Sequence, residues 1–434
     1  MLTPEENELL TRVGPGTPCG EFLRRYWHPV AAASELTDER PKMQLRIMGE
    51  DLVLFRGAAG SYGLVAEHCS HRGCSLYYGF LEGDCIRCAY HGWMYDQAGK
   101  IVETPFEPEQ SLLKHTLRHP AYPVQKLAGL LWAYMGPLPA PLLPRWDALV
   151  DTEGTRRLEI RPQLNCNWLQ AEENTADVTH TYFLHAYAMA AKGRQNMAGG
   201  FGRPFLGYGF QPFKYGLLKS WSYAGERGGS GWGNLLVYPN MLRLDDSMHW
   251  RVPIDDTHTK IVRVEYWPTA RPWRRPGPGP DPSAAGTLED PPLSYEPTWM
   301  NERNEYHLEN FSSQDGMAWE TQGPIFDRSK EHLGATDTGV VMLRQMLMEG
   351  IRAVEEGREP IGIFRDPAEN QRIDLEQWMR ERDYFPGDEP EESGDRLPRE
   401  RIFDERHVEV EIPEGSPGRL GVVEALARVA ATAN

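Results

Sequence analysis

The sequence predicts an α+β protein, in which a β-rich part is followed by a larger part of mixed helices and strands. From residue 43 to about residue 140, apolar and polar residues alternate in short stretches separated by glycine turns, as in "MQLRIMGEDLVLFRG". A helical pattern follows in "NWLQAEENTADVTHTYFLHAYAMAA", and strand-like segments return between about Phe205 and Trp267. The 434 residues are too many for one ordinary core, so more than one domain is expected.

Three segments are predicted: an N-terminal helical segment (1–42), a β domain (43–140) and a larger domain (141–434). Thr3, Pro4 and Glu6 indicate a helix start, with a capping residue, a proline in the first turn and a glutamate three residues after the cap. A later helix is predicted from about residue 336 to 356, because apolar residues recur there at helical spacing. Residues 271–292 are so rich in proline and glycine that we expect an exposed insertion.

Composition excludes several classes of partner. The net charge of −17 argues against nucleic acid binding. No run of 18 apolar residues occurs, so no membrane span is expected. The first residues lack the basic and apolar regions of a signal peptide, so a cytoplasmic protein without structural disulfides is expected.

A metal site is indicated in "CSHRGCSLYYGFLEGDCIRCAYH", which holds Cys69-Ser-His71 and Cys88-Ala-Tyr-His91. Tetrahedral zinc would use all four ligands on one ion. A Rieske [2Fe–2S] cluster would place the two cysteines on one iron and the two histidines on the other. The single residue between Cys69 and His71 splays its two ligands apart, which favours the cluster over zinc. We expect Cys74 and Cys85 to be small packed residues.

A second metal site is indicated on the predicted helix "ENTADVTHTYFLH". Asn174, Asp177 and His180 are spaced by three residues, which places them on one helix face. His185 lies five residues after His180, so the helix must deform or end if both imidazoles are to meet one ion. Two histidines and one carboxylate form the facial triad of non-haem Fe(II) oxygenases, which leaves positions open for O₂ and substrate.

The third ligand of such a triad should come from a distant part of the chain. Asp315, in "NFSSQDGMAWETQGPI", is the candidate carboxylate. Two other aspartates are rivals: Asp327, which we expect to form an ion pair with Arg328, and Asp337, which lies where a helix should begin. Basic residues that could meet an acidic substrate occur in the strand-rich region, but each is expected at the surface or in an ion pair; they are Lys219, Arg243 and Arg251.

With both motifs in view, the chain resembles a Rieske non-haem iron aromatic oxygenase, the catalytic (alpha) subunit, over nearly its whole length. "LLTRVGPGTPCGEFLRRYWHPVA" and "SSQDGMAWETQGPIFDRSKEHLG" resemble the phthalate dioxygenase branch, which has catalytic subunits only. Within it, "PAPLLPRWD", "NCNWLQ" and "VPIDDTHT" are most similar to the O-demethylases that act on dehydrodivanillate, a lignin-derived biaryl. The resemblance implies an antiparallel-β Rieske domain beside a larger α+β, helix-grip-like domain with a curved antiparallel sheet.

The resemblance also implies roles for individual residues. Cys69, His71, Cys88 and His91 match the cluster ligands, while His180, His185 and Asp315 match the ligands of a mononuclear Fe(II). Asp177 matches the acidic residue that bridges the two centres. In the family this bridge joins neighbouring chains of a homotrimer, or of a dimer of trimers, because the cluster of one chain feeds the iron of the next.

The implied function is oxidation of an aromatic substrate with O₂ and external electrons. No flavin or nicotinamide fingerprint occurs in the sequence, so a separate flavin and iron–sulfur reductase, or a ferredoxin, is expected to supply the electrons. The local resemblance favours O-demethylation or a related monooxygenation of a methoxylated or carboxylated aromatic. Ring cis-dihydroxylation of an aromatic carboxylate such as a phthalate is the alternative, and a pure electron carrier is a third hypothesis.

Overall fold

The structure is a computed structural model of the whole chain. It describes residues 1–194, 202–224, 229–230, 234–244, 247–268, 287–296, 298–375, 378 and 408–432. Strands and helices are labelled in chain order.

Three small sheets form the β-rich part, and all of their strand pairs are antiparallel. The first sheet has the order β1–β11–β10, the second β2–β3–β4–β9, and the third β5–β6–β7–β8. Their bounds are β1 (Trp27–Ala32), β2 (Lys42–Ile47), β3 (Glu50–Arg56), β4 (Tyr62–Ala66), β5 (Phe80–Glu82), β6 (Cys85–Arg87), β7 (Met94–Tyr95), β8 (Ile101–Glu103), β9 (Ala121–Tyr122), β10 (Val124–Leu127) and β11 (Leu130–Tyr134).

A ten-stranded sheet forms the centre of the larger part. Its order is β20–β12–β19–β18–β17–β16–β14–β13–β21, and β15 pairs with β14. The strands are β12 (Thr155–Ile160), β13 (Phe205–Phe213), β14 (Gly216–Tyr223), β15 (Gly229–Ser230), β16 (Asn234–Val237), β17 (Met241–Leu244), β18 (Ser247–Pro253), β19 (Thr259–Trp267), β20 (Leu293–Tyr295) and β21 (Val408–Glu411). The expected α+β architecture is confirmed, with one difference: β20 runs parallel to β12, so the sheet is mixed.

Helices pack around this sheet and join it to the N-terminal segment. They are α1 (Pro4–Thr11), α2 (Pro18–Leu23), α3 (Leu113–Thr116), α4 (Asp147–Val150), α5 (Trp168–Ala176), α6 (Ala188–Ala191), α7 (Phe311–Glu320), α8 (Thr338–Glu355) and α9 (Val422–Thr432). The helices α2 and α5 both pack on α8. The approach of α2 is close, because a side chain at Gly350 would meet the rings of Phe22 and Tyr238. The N-terminal segment therefore shares the main core.

Local sequence signals account for several of these elements. The capping box of α1 forms as expected, since Thr3 accepts from the Glu6 amide and Glu6 accepts from the Thr3 amide. The predicted later helix is α8, and Asp337 is its N-cap residue. Of the expected insertion, residues 271–286 lie outside the described residues, and 287–292 form no regular element there. Its exposure and the three segment boundaries stay predictions.

One predicted helix is interrupted. The structure ends α5 at Ala176 and gives Asp177 an extended backbone, so Asn174, Asp177 and His180 do not share a continuous helix face. A π-helix then spans Thr181–Tyr187, directly after His180. The hydrogen bonds of a π-helix join residues i and i+5, so the helix is deformed between His180 and His185 as the spacing predicted. No helix in the described part of the chain is long and apolar enough to cross a membrane.

Candidate metal centres

The first candidate centre is built from two loops of nearly identical design. In each loop a glycine amide donates to the carbonyl of the cysteine four residues earlier, Gly73 to Cys69 at 2.8 Å and Gly92 to Cys88 at 3.0 Å. Both glycines have positive φ angles, 74° and 73°, which side chains with a Cβ adopt at a cost. The repeated turn explains why two short motifs can present matching pairs of ligands.

The four predicted ligands lie together at the tips of these loops. The thiols of Cys69 and Cys88 are buried, each only 3% exposed, while His71 and His91 are partly exposed. The two imidazole rings are 4.6 Å apart between centroids, and Trp93 stacks on the His71 ring at 4.7 Å. Two buried thiols behind two outward imidazoles suit the donor set of a Rieske cluster, in which each pair holds one iron.

The other cysteines and histidines of this region fall outside the ligand set. Cys74 is a free thiol, and Ala89 and Tyr90 occupy the positions between the second ligand pair. Cys85 is also free, and it starts β6 rather than a ligand loop. His68 is exposed, with its Nδ1 3.0 Å from the Gly73 carbonyl oxygen.

The second candidate centre joins the π-helix to α7. His180, His185 and Asp315 each offer one ligand atom, and these atoms all lie within 4.8 Å of one another. No other group of three such residues was found within the described ranges. The π-helix makes this possible, since it turns both imidazoles to one side, with centroids 5.3 Å apart.

Hydrogen bonds fix the tautomer of each histidine. Gln314 Oε1 lies 2.8 Å from His185 Nδ1, and the Gln314 amide nitrogen is held by the Leu308 carbonyl. Asp177 Oδ2 lies 3.1 Å from His180 Nδ1. An amide oxygen and a carboxylate only accept, so both Nδ1 atoms carry protons and both Nε2 atoms are free to act as ligands.

The atoms that face the centre of this triad are acceptors. Asp315 Oδ1 is buried and has no hydrogen-bond partner among the described residues, although His185 Nε2 lies 3.3 Å away. Two unprotonated imidazole nitrogens and a carboxylate converge with no proton between them, which fits a divalent cation.

Asp177 is held from three sides. It lies at the C-terminus of α5, where a negative charge is unfavourable, and Lys219 Nζ donates to its backbone carbonyl at 2.8 Å. Thr179 donates from its amide and its hydroxyl to Oδ1, while Oδ2 meets His180. Burial alone would raise the pKa of Asp177, but these partners hold it well below its ordinary value.

Sequence reasoning missed a buried charged cluster beside the triad. Lys219 and Arg251 are 5% and 2% exposed, so the expectation of a surface or ion-paired residue is wrong for Lys219, whereas Arg251 agrees with it through an ion pair to Glu172. Arg243 is buried as well, 3.6 Å from Asp147, which agrees with the expected ion pair. Glu172 is fully buried 3.8 Å from Arg251, and both of its oxygens lack hydrogen-bond partners in the described part of the chain. Burial raises the pKa of Glu172 to about 8 and lowers the pKa of Lys219 to about 8.

The rival carboxylates lie elsewhere. Asp327 pairs with Lys330 at 2.8 Å and not with Arg328 as predicted. The reason is that Arg328 is fully buried and makes two hydrogen bonds to Glu173, at 2.8 and 2.9 Å. Gln314 was missed as a functional residue, and its position directly before Asp315 is the signal that could have found it.

Two family models match the chain. One describes a Rieske [2Fe-2S] domain and matches residues 26–123, and the other describes a LigXa C-terminal domain like region and matches residues 296–376. The first match spans the two ligand loops, and the second contains Asp315 and α8.

Relatives and solved structures resemble most of the chain. It is 38% identical to the 5,5'-dehydrodivanillate O-demethylase oxygenase subunit of Sphingobium sp., with 86% of each chain covered. It is 32% identical to the phthalate 4,5-dioxygenase oxygenase subunit of Pseudomonas putida, covering 83% of this chain and 89% of that one. A solved oxygenase and ferredoxin complex of carbazole 1,9a-dioxygenase has a TM-score of 0.56 at 18% identity, over 82% of this chain and 99% of that one.

Proposed function

This chain belongs to the Rieske non-haem iron oxygenases as a terminal oxygenase subunit, and we propose that it removes a methyl group oxidatively from a methoxylated aromatic acid. The observation that carries the proposal is the triad of His180, His185 and Asp315 beside a buried charged cluster. The similarity to the dehydrodivanillate O-demethylase subunit supports a lignin-derived, biaryl substrate.

The family carries a [2Fe–2S] Rieske cluster and a mononuclear non-haem iron. We propose Cys69, His71, Cys88 and His91 as the cluster ligands, and His180, His185 and Asp315 as the iron ligands. The iron, when bound, supplies the site at which O₂ is activated beside the substrate. Gln314 and Asp177 would hold the two imidazoles in the tautomer that such an ion requires.

The reaction consumes O₂, two electrons and two protons for each methyl group. One oxygen atom enters the methoxy C–H bond, and the other leaves as water. The resulting hemiacetal collapses to a phenol and formaldehyde, which breaks the bond between the methyl carbon and the ether oxygen. Both electrons come from outside the chain.

The charged cluster supports an acidic, hydroxylated substrate. Lys219 and Arg251 would donate to a carboxylate, since both are buried cations and the Arg251 Nε atom, 3.8 Å from Glu172, has no hydrogen-bond partner among the described residues. Glu172, with two unpartnered oxygens, would meet a phenolic hydroxyl. Lys219 also lies close enough to His185 and Asp315 to affect their charges, so the cluster adjoins the triad.

Electrons would come from a separate electron-transfer partner, a ferredoxin or a flavin and iron–sulfur reductase. We propose that they pass between chains of a homotrimer, through Asp177. Within one chain, the described hydrogen bonds of Asp177 are with Asn174, Thr179, His180 and Lys219, none of which belongs to the cluster loops. A second copy would therefore have to bring its cluster histidine to Asp177. A cytoplasmic location is supported by the six cysteines, all of which the structure describes and none of which forms a disulfide.

The test is a reconstituted assay with a surrogate reductase and a methoxylated biaryl acid. We expect formaldehyde and a phenol in equal amounts, with O₂ uptake to match. The control substrate is the same acid with the methoxy group replaced by hydroxyl, which should give no formaldehyde. Turnover of a phthalate to a cis-diol without formaldehyde release would overturn the proposal and favour the ring dioxygenase.

The electron-carrier hypothesis makes a different prediction of metal content. An oxygenase should hold about three irons per chain, two in the cluster and one mononuclear, whereas a carrier should hold about two. We expect about three.

A further inference from the structure

A buried histidine lies behind the first ligand loop and takes no part in the proposed ligand set. His119 is 2% exposed and sits just before β9, with its backbone amide bonded to the Gly99 carbonyl. Its Nε2 lies 2.8 Å from the Ala66 carbonyl oxygen, and its Nδ1 lies 2.7 Å from Ser70 Oγ. Ser70 is the residue between Cys69 and His71, so this side chain contacts the loop at its centre.

The partners of His119 define its protonation. A backbone carbonyl only accepts, so Nε2 must carry the proton and donate to Ala66. Nδ1 of the neutral ring is then an acceptor, and the Ser70 hydroxyl must donate to it. Burial lowers the pKa of His119, which favours this neutral form. The Ser70 hydroxyl is therefore committed to His119 and held in one direction.

His119 also packs on Tyr95. The two rings are 4.4 Å apart between centroids and inclined by 33°, and the Tyr95 side chain is fully buried. The Tyr95 hydroxyl lies 2.9 Å from Cys69 Sγ. A thiolate ligand can only accept, so with a cluster present Tyr95 must be the donor.

We propose that His119 is a positioning residue that sets the reduction potential of the cluster, because its ring is fixed by Ala66 and Ser70 and packs on Tyr95, which holds the Tyr95 hydroxyl against Cys69. The inference rests on the proposed ligation by Cys69. Reduction adds negative charge to the cluster, and a hydrogen bond to a ligand sulfur stabilises that charge. The Tyr95 hydrogen bond therefore raises the potential, and loss of the ring that holds Tyr95 lowers it.

The experiment is a redox titration of the purified full chain, followed by the EPR signal of the reduced cluster. Tyr95→Phe should lower the midpoint potential, and His119→Ala should lower it by most of the same shift. The double variant should match Tyr95→Phe, because His119 acts through Tyr95. His115→Ala is the matched control, since His115 is an exposed histidine of the same segment. The cluster of this variant should have the same midpoint potential as the cluster of the unchanged chain.

Two results would overturn the inference: an unchanged potential in His119→Ala, or shifts that simply add in the double variant. If the His119→Ala variant does not assemble its cluster, the midpoint potential of His119→Gln tests the inference instead. Glutamine keeps a donor and an acceptor but removes the ring from Tyr95, so a lowered potential supports the inference and an unchanged one overturns it. The titration needs no substrate, so its outcome is independent of whether the chain demethylates.

Discussion

The two candidate centres are built on opposite principles. The ligands of the first, from Cys69 to His91, occupy 23 consecutive residues, and backbone hydrogen bonds and two glycines shape their loops. The ligands of the second, from His180 to Asp315, are far apart in sequence, and side chains such as Asp177 and Gln314 hold them. The first centre is a local structure, whereas the second exists only when the domain around it is folded.

The largest effect should follow from removal of the distant ligand. Asp315→Ala should take turnover to background and lower the iron content from about three to about two atoms per chain, because two histidines alone hold the ion poorly. The EPR signal of the cluster should remain, since its loops do not depend on α7. Asp327→Ala, which changes an exposed carboxylate paired with Lys330, should keep all the iron.

A smaller loss should follow from neutralising the residue that orients His180. Asp177→Asn should retain both metal centres and lower turnover by about 10–100-fold, the range expected for a residue that supports a metal ligand. Metal analysis and steady-state O₂ uptake measure the two quantities on one sample. Full activity in this variant would refute the proposed bridge.

The fold around the second centre should depend on a buried carboxylate. Glu173 of α5 accepts from Arg328 and also from Arg344 of α8, at 2.6 Å for the latter. Glu173→Gln leaves the buried Arg328 without its anion and removes one of the two carboxylates that pair with Arg344, so the free energy of unfolding should fall by about 3–5 kcal/mol. Denaturant titration of both proteins at neutral pH measures the difference. The free energy of unfolding should fall much less in the control variant Asp327→Asn.

The same pair of proteins gives a pH test. Burial alone would raise the pKa of Glu173, but Arg328 and Arg344 hold it below its ordinary value. Its stabilising contribution is therefore complete above the unfolded pKa of about 4.3 and is lost as pH falls through the lower folded value. The advantage of the unchanged chain over Glu173→Gln should shrink in acid. A constant difference at all pH values would contradict this.

The smallest effect concerns the local centre. Gly73→Ala and Gly92→Ala each place a Cβ at a left-handed φ, which costs about 1–2 kcal/mol. Only Gly92 is also crowded, because its Cβ would lie 3.1 Å from Pro105 Cγ, whereas nothing lies within 4 Å at Gly73. Gly92→Ala should therefore lose its cluster colour at a lower temperature than Gly73→Ala. Equal losses would mean that the crowding is relieved by movement of Pro105.

The same contrast explains what could be predicted from the sequence. The ligands of the first centre could be predicted from their spacing in the sequence, because a C-x-H or C-x-x-H loop is complete within a few residues. His180 and His185 gave a weaker signal, and Asp315 was the preferred candidate among three aspartates until the family resemblance matched it, since nothing in its neighbourhood marks its partner. The structure brings these three together as expected.

Other features could not be derived because they depend on distant packing. The end of α5 at Ala176 is such a case, because Lys219 of β14 bonds to the Asp177 carbonyl beyond it. Burial of Lys219 and Arg251 was missed for the same reason: a cation on a strand is usually solvated, and only the fold supplies Glu172. The predicted partner of Arg328 was wrong because its observed partner, Glu173, lies 155 residues away in the sequence.

The π-helix has a further consequence for any comparison of this segment with a regular helix. It inserts one residue relative to a regular α-helix, so each side chain after the π-helix is rotated by about 100° from its α-helical position. Removing a single residue between His180 and His185 would restore the α-helical repeat and still leave the histidines on one side. It would, however, swing Tyr187 and α6 away from their contacts with α9. The extra residue thus determines the direction of every later side chain in the helix. A sequence alignment that allows no insertion there will assign those contacts to the wrong residues.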